Sequence, residues 1–284
     1  MSAAPSGART PRLVGTVKGW AAGWNRIGEQ TAFYVRAILS IKDALVYYRT
    51  ETVRVIAQMS LGVGALALIG GTVAIVGFLL LNVGLLVAIV GYSQTANLGV
   101  EALVGFFSAY VNPRLAAPLI TALGLAATIG AGATAQLGAM RISEEIDALE
   151  VIGVRVVAYL VSTRVLGGIA LSIPLCCISL IVGFVSIQFL VQFTYGQSSG
   201  VYTHYFYTFL QPTDVLWAVI QVVLQGIVVM LIHTYYGFNA TGGPAGVGEA
   251  TGRAVRASLV VLTLLTAAVG LALYGRSGNF HLSG

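Results

Sequence analysis

Residues 165–193 read VLGGIALSIPLCCISLIVGFVSIQFLVQF, a run from Val165 to Phe193 without a single Asp, Glu, Lys or Arg. About 20 apolar residues in a helix cross the ~30 Å hydrocarbon core of a bilayer. The run lacks the strict apolar–polar alternation of a barrel strand, and in hydrocarbon the backbone must satisfy its own hydrogen bonds. It is therefore predicted to be a transmembrane helix. Working outward, four more such runs appear, at about 57–81, 115–140, 215–236 and 254–274. Composition agrees: 57% of the 284 residues are hydrophobic and 9% charged, against about a quarter charged in soluble domains. The expected fold class is an all-α integral membrane protein. Residues 1–56 form N-terminal amphipathic interfacial helices, and residues 57–284 form a domain of five transmembrane helices.

Charge orients these spans. Eight of the 15 Lys and Arg precede residue 57, and Arg141, Arg155, Arg164, Arg253 and Arg256 flank span ends predicted to share that side. Only Arg114 and Arg276 are left for the other. This is a positive-inside distribution, not a nucleic-acid-binding surface. It places the N-terminus in the cytoplasm and the C-terminus outside a bacterial plasma membrane. The N-terminal segment has no signal-peptide pattern, since no short apolar core there precedes a small-residue cleavage site. Trp20, Trp24, Phe33, Tyr34, Ile38, Leu39 and Ile41 interleave with Lys18, Arg26, Arg36 and Lys42, as in helices lying in the inner interface.

Parity demands an even number of crossings between the basic N-terminus and the charged segment 141–164. Residues 82–112 are thus expected to extend two helices or to form a re-entrant or interfacial piece, not a further span. Tyr195, Tyr202, Tyr205, Phe206, Tyr207 and Phe209 form an outer aromatic belt or a substrate contact. Within the second span, Ala126, Gly130, Thr134 and Gly138 form one small-residue stripe, and Ala127, Ala131, Ala135 and Ala139 another. Such stripes let helices approach closely, and Gly130, Thr134 and Gly138 are the helix-packing candidates. Gln221 and Gln225 stand one turn apart for bonds across helices. His233 has no metal-ligand partner at suitable spacing and reads as an interfacial hydrogen-bonder. Cys176 and Cys177 read as packing residues.

The segment Arg141-Ile-Ser-Glu-Glu-Ile-Asp-Ala-Leu-Glu-Val-Ile-Gly-Val154 stands apart, with four of the ten acidic residues in seven positions. Ser143 is suited to cap a helix, Glu144 and Glu145 to its first turn, and Gly153 to its end. Ile146, Leu149 and Ile152 fall on one apolar face. A short acidic helix on the basic side is either a solvated connector, balanced by Arg141 and Arg155, or a docking helix for a soluble partner.

The stretch Gly138–Val154, with a second marker at Gly246-Val-Gly-Glu-Ala-Thr-Gly-Arg-Ala-Val255, resembles the MlaE/YrbE permease family over nearly the whole chain after residue 20. The resemblance implies a permease subunit of an ATP-driven lipid transporter. Two permeases pair, a cytoplasmic ABC ATPase dimer docks on them, and MCE-domain proteins exchange lipid outside. Glu144, Glu145, Ile146, Asp147, Leu149 and Glu150 would form the coupling helix between spans 2 and 3. Leu98, Arg114, Ala116 and Pro118 would lie on the lipid pathway. For Arg114, snorkelling to the interface and contact with a lipid headgroup are both open. This chain would bind no cofactor: ATP and Mg belong to the partner ATPase, and Gly242–Gly248 lacks the Gly-Lys-Ser/Thr ending of a phosphate loop.

The chain also departs from the family pattern. Arg114-Leu-Ala-Ala-Pro118 stands where Arg-Glu-Leu-Gly-Pro is frequent, Thr128 and Gln136 replace an arginine and a glutamate, and Glu249 replaces an arginine. Intramembrane charges are costly and usually functional, so their loss points to a non-identical pair. The closest likeness is to B-type YrbE subunits of actinobacterial Mce (mammalian cell entry) systems. The competing expectation is a secondary transporter or channel working without an ATPase. No charge is expected deep within a span.

Overall fold

The computed structural model describes residues 27–61 and 67–275, and among them there is no strand. Helix α1 covers residues 27–39, followed by α2 (Ile41–Tyr47) and α3 (Arg49–Leu61). Five helices are long and apolar enough to cross a membrane: α4 (Ala67–Asn97), α5 (Glu101–Ile142), α7 (Val157–Tyr195), α9 (Pro212–Phe238) and α10 (Gly243–Tyr274). Two short helices connect them: α6 (Glu145–Val151) lies between α5 and α7, and α8 (Ser199–Phe209) between α7 and α9.

The first span runs further along the chain than the sequence predicts. Residues 57–61 lie in α3, and the described membrane-length segment Gly71–Asn97 continues well past Leu81. Asn82, where the sequence reading ends that span, does not break the helix. Its amide donates to the Phe78 carbonyl one turn back, at 2.7 Å, which satisfies it without help from outside. Residues 82–112 are thus helix extensions, the first of the two alternatives. α4 runs on to Asn97, the chain turns at Gly99 (φ +70°), and α5 begins at Glu101. The fifth span likewise begins earlier than predicted. Most of the expected glycine-rich loop is the start of α10, entered at Gly242 with Pro244 in its first turn, where a missing N–H costs nothing.

α5 is one path of 42 residues interrupted by two π-turns, at Asn112–Ala116 and Ala126–Gly130. Pro113 and Pro118 remove backbone donors around the first, and a wider turn accommodates that loss. α7 opens with a third π-turn, Val157–Ser162. α5, α7 and α9 form the centre of the bundle, while α10 and α4 are only 17% and 22% buried over their apolar windows. The main core joins Leu125, Ile129, Val165, Met230 and Leu262 with Ala37 of α1. Phe33 packs edge-on against Tyr235 at 5.4 Å and lies 5.6 Å from Phe238, fastening α1 to the end of α9. The interfacial reading of Lys18, Trp20, Trp24 and Arg26 falls outside the described residues.

α8 carries the aromatic segment and is more than a belt. Ser198 caps it by accepting from the Val201 N–H. Tyr202 is buried, and the helix lies so close to α5 that a methyl on Gly105 would meet the Tyr202 carbonyl at 2.6 Å.

Candidate functional site

The acidic helix α6 stands on a foot of three spans. Ile146 is fully buried among Leu137 of α5, Val156 at the entry to α7 and Leu160 of α7, with Phe238 of α9 and Leu149 of α6 itself packed alongside. The four acids Glu144, Glu145, Asp147 and Glu150 are all exposed. Asp147 pairs with Arg141 at the end of α5. Two features differ from the sequence reading. The residue entering the helix is Glu144, at φ +61° in the left-handed region, while the Ser143 hydroxyl donates to the Glu145 carboxylate at 3.1 Å and caps nothing. Ile152 does not continue the apolar face. It is 73% exposed and its neighbour Val151 87% exposed, because Gly153 (φ +82°) turns the chain away at that point. An acidic rim beside two bare aliphatic side chains is thus presented outward from a rigid base.

The next residues bind this region to the N-terminal helices. Arg155 donates to Asp43 of α2 at 2.6 Å, and Tyr48 packs edge-on against Tyr159 at 5.3 Å. The Ser162 hydroxyl donates to the Ala37 carbonyl at 2.7 Å inside the core.

At the opposite end of the bundle, Arg114 does not reach out into solvent. Its Nε and Nη2 both donate to Asp214 Oδ2 at 3.1 and 2.8 Å, and its guanidinium lies over the rings of Tyr110 and Tyr274 at 3.8 and 4.4 Å. Both side chains are buried. Asp214, which the sequence reading did not single out, is the first-turn acid of α9, so the cluster draws α5, α9 and α10 together. The other residues named for a lipid path are not gathered around it. Ala116 and Pro118 are buried within α5, while Leu98 is 78% exposed at the α4–α5 turn, 16 positions before Arg114. Nothing in the sequence marked the apolar groove of about 360 Å³ between α4 and α7, lined by Leu81, Leu85, Ile181, Val185 and Phe189.

The small residues of α5 separate by face. Ala126, Gly130, Thr134 and Gly138 are buried, whereas Ala127, Ala135 and Ala139 are exposed. A methyl on Gly130 would lie 2.7 Å from the His233 ring and one on Gly138 2.8 Å from Val247, so α9 and α10 pack there against backbone. The Thr134 hydroxyl lies 2.8 Å from His233 Nδ1. His233 is wholly buried between the helices. Gln225 donates to Thr266 of α10 at 2.8 Å, while the Gln221 amide nitrogen has no partner. Among the described residues no group of three His, Cys, Asp or Glu is placed to hold a metal ion.

A family sequence profile described as Permease MlaE matches residues 63–272, which take in the acidic helix and reach into all five spans. The chain belongs to the MlaE permease family. This makes it a multi-pass membrane protein and a transport subunit, not an enzyme. It is 33% identical over 168 residues to an Arabidopsis thaliana chloroplast protein, Protein TRIGALACTOSYLDIACYLGLYCEROL 1, covering 59% of this chain and 48% of that one. A probable ABC transporter permease of Synechocystis is 30% identical over 58% of this chain and 62% of its own length. A probable ABC transporter permease of Rickettsia bellii is 24% identical over 84% of this chain and 93% of its own. The match thus spans about half to three-fifths of the first two relatives.

Proposed function

We propose that this MlaE-family chain is one of two permease subunits of an ATP-driven lipid transporter in a bacterial plasma membrane. The observation that carries this reading is α6. Four exposed carboxylates and the bare Val151 and Ile152 sit on a helix whose Ile146 foot touches α5 and α7. A soluble partner gripping that surface moves two spans directly. The relatives named as probable ABC transporter permeases support an ATPase as the partner. The name of the Arabidopsis relative contains that of a lipid, trigalactosyldiacylglycerol, which supports a lipid as cargo.

In this reading α6 faces the cytoplasm as the coupling helix, and ATP and Mg are held by the ATPase dimer. A second, non-identical permease covers the weakly buried faces of α4 and α10, where Phe78, Leu86, Leu264 and Leu271 are exposed. The lipid moves along this seam, with the α4–α7 groove as the apolar contact for its chains, and passes to or from MCE-domain proteins outside. The pairing of a B-type YrbE subunit with an unlike partner fits the charges that α5 lacks.

The test reverses the charge of α6. Glu145→Lys with Asp147→Lys is expected to leave the chain inserted in the membrane and to abolish co-purification of a P-loop ATPase. Undiminished ATPase recovery would remove the coupling role. Mass spectrometry of the proteins retained with the unaltered chain tests the rest. Recovery of an ATPase, a second permease and MCE proteins is expected, whereas an intact chain recovered alone favours a secondary transporter or channel.

A further inference from the structure

Arg164 lies eight positions into α7 and Gln136 six positions before the end of α5. At about 1.5 Å per residue, both sit roughly 10 Å from the helix ends that carry α6. Arg164 is 8% exposed. Its guanidinium has five N–H donors but only two acceptors here: the Leu160 backbone carbonyl oxygen at 2.8 Å and the Gln136 side-chain oxygen at a loose 3.5 Å. Neither carries charge. All ten Asp and Glu of the chain fall within the described residues, and none lies within ion-pair distance of Arg164. Glu51 of α3 acts on it through space, and its own ion pair is with Arg54 at 3.6 Å. A buried charge with no carboxylate in direct contact is unfavourable in a membrane.

Gln136 stands in front of this cation. It is exposed on the outer side of α5, its oxygen turned toward Arg164 and its amide N–H₂ left as a donor. Ala135 and Ala139 beside it are also exposed and small, leaving room at the surface for a bulky group. We infer that Gln136 and Arg164 form a binding site for the anionic headgroup of a membrane phospholipid, its phosphate seated on the Gln136 amide and neutralising Arg164 behind it. Basic recesses between membrane helices are suited to such headgroups. The site is separate from the α4–α7 groove and does not depend on the chain being a lipid transporter.

The test uses the full chain, with the proteins that co-purify with it, in phosphatidylcholine vesicles carrying trace spin-labelled phosphatidylglycerol or spin-labelled phosphatidylcholine. Electron spin resonance then gives the relative association of the two lipids. One charge-assisted contact corresponds to roughly tenfold preference, and about that preference for phosphatidylglycerol is expected. Gln136→Glu supplies an internal carboxylate for Arg164 while removing no packing, and is expected to bring the preference down about tenfold. Arg164→Lys is expected to retain a weaker preference. Soluble glycerol phosphate is expected not to displace the labelled lipid. Equal association of both lipids with the unaltered chain, or an unchanged preference in Gln136→Glu, overturns the site. Displacement by glycerol phosphate overturns the lipid as its occupant in favour of free phosphate.

Discussion

Arg114 and Asp214 form the one ion pair among the described residues with both side chains buried, at 10% and 5% exposure and 2.8 Å. The Tyr110 and Tyr274 rings cover the guanidinium, and the Tyr274 hydroxyl lies 3.5 Å from the second carboxylate oxygen. Removing one member of a buried pair strands the other charge, at a cost of about 3–5 kcal/mol, whereas replacing both by apolar groups is often close to neutral. Asp214→Ala is therefore expected to destabilise the bundle by about that amount, and Arg114→Met with Asp214→Leu to restore most of it. Unfolding of the purified variants by denaturing detergent measures both. A loss below about 1 kcal/mol for Asp214→Ala would class the pair with exposed ones.

Gly130, Thr134 and His233 act as one joint between α5 and α9. The glycine leaves room for the imidazole, and the threonine hydroxyl lies within hydrogen-bond reach of Nδ1 and the His233 carbonyl at 2.8 and 3.0 Å. Gly130→Ala places a methyl 2.7 Å from a buried ring and is expected to cost about 1–3 kcal/mol. Thr134→Val leaves buried polar atoms unpartnered and is expected to cost about 1–3 kcal/mol. Because the two changes share His233, the double variant is expected to lose less than their sum. The same unfolding assay, read as a double-mutant cycle, reports the difference.

The span count and the all-helical class were legible because hydrophobic length in lipid has few structural solutions, as at Val165–Phe193. What escaped the sequence were features that local composition does not encode. The end of the first span was misplaced because Asn82 looks like a break until its amide is seen bonded within the helix. Asp214 carries no mark of its own, lying 100 positions from the arginine it neutralises. Arg164 reads as a flanking residue because the π-turn at Val157–Ser162 carries α7 further back than hydropathy suggests. The acidic helix was legible as a segment, while its entry and its exposed end follow from two backbone conformations, at Glu144 and Gly153.

Those conformations supply a last prediction. A non-glycine residue in the left-handed region costs roughly 1–2 kcal/mol, and Glu144 sits there at φ +61°. Its carbonyl nonetheless accepts from the Ala148 N–H at 3.0 Å, opening the α6 hydrogen-bond ladder. Glu144→Gly relieves the strain without removing that acceptor, so amide exchange of α6 is expected to slow by about fivefold, corresponding to roughly 1 kcal/mol of local opening free energy. Ser143→Ala removes a surface hydroxyl that bonds to Glu145 and to the Met140 carbonyl of α5 but to no N–H of α6, and is expected to leave exchange unchanged. A serine acting as the helix cap gives the opposite pattern: Ser143→Ala frays α6, at a cost of about 1 kcal/mol, and Glu144→Gly gives no protection. Hydrogen exchange read by mass spectrometry on peptides spanning Glu145–Val151 distinguishes the two. It reports on α6 alone, whatever protein grips that helix.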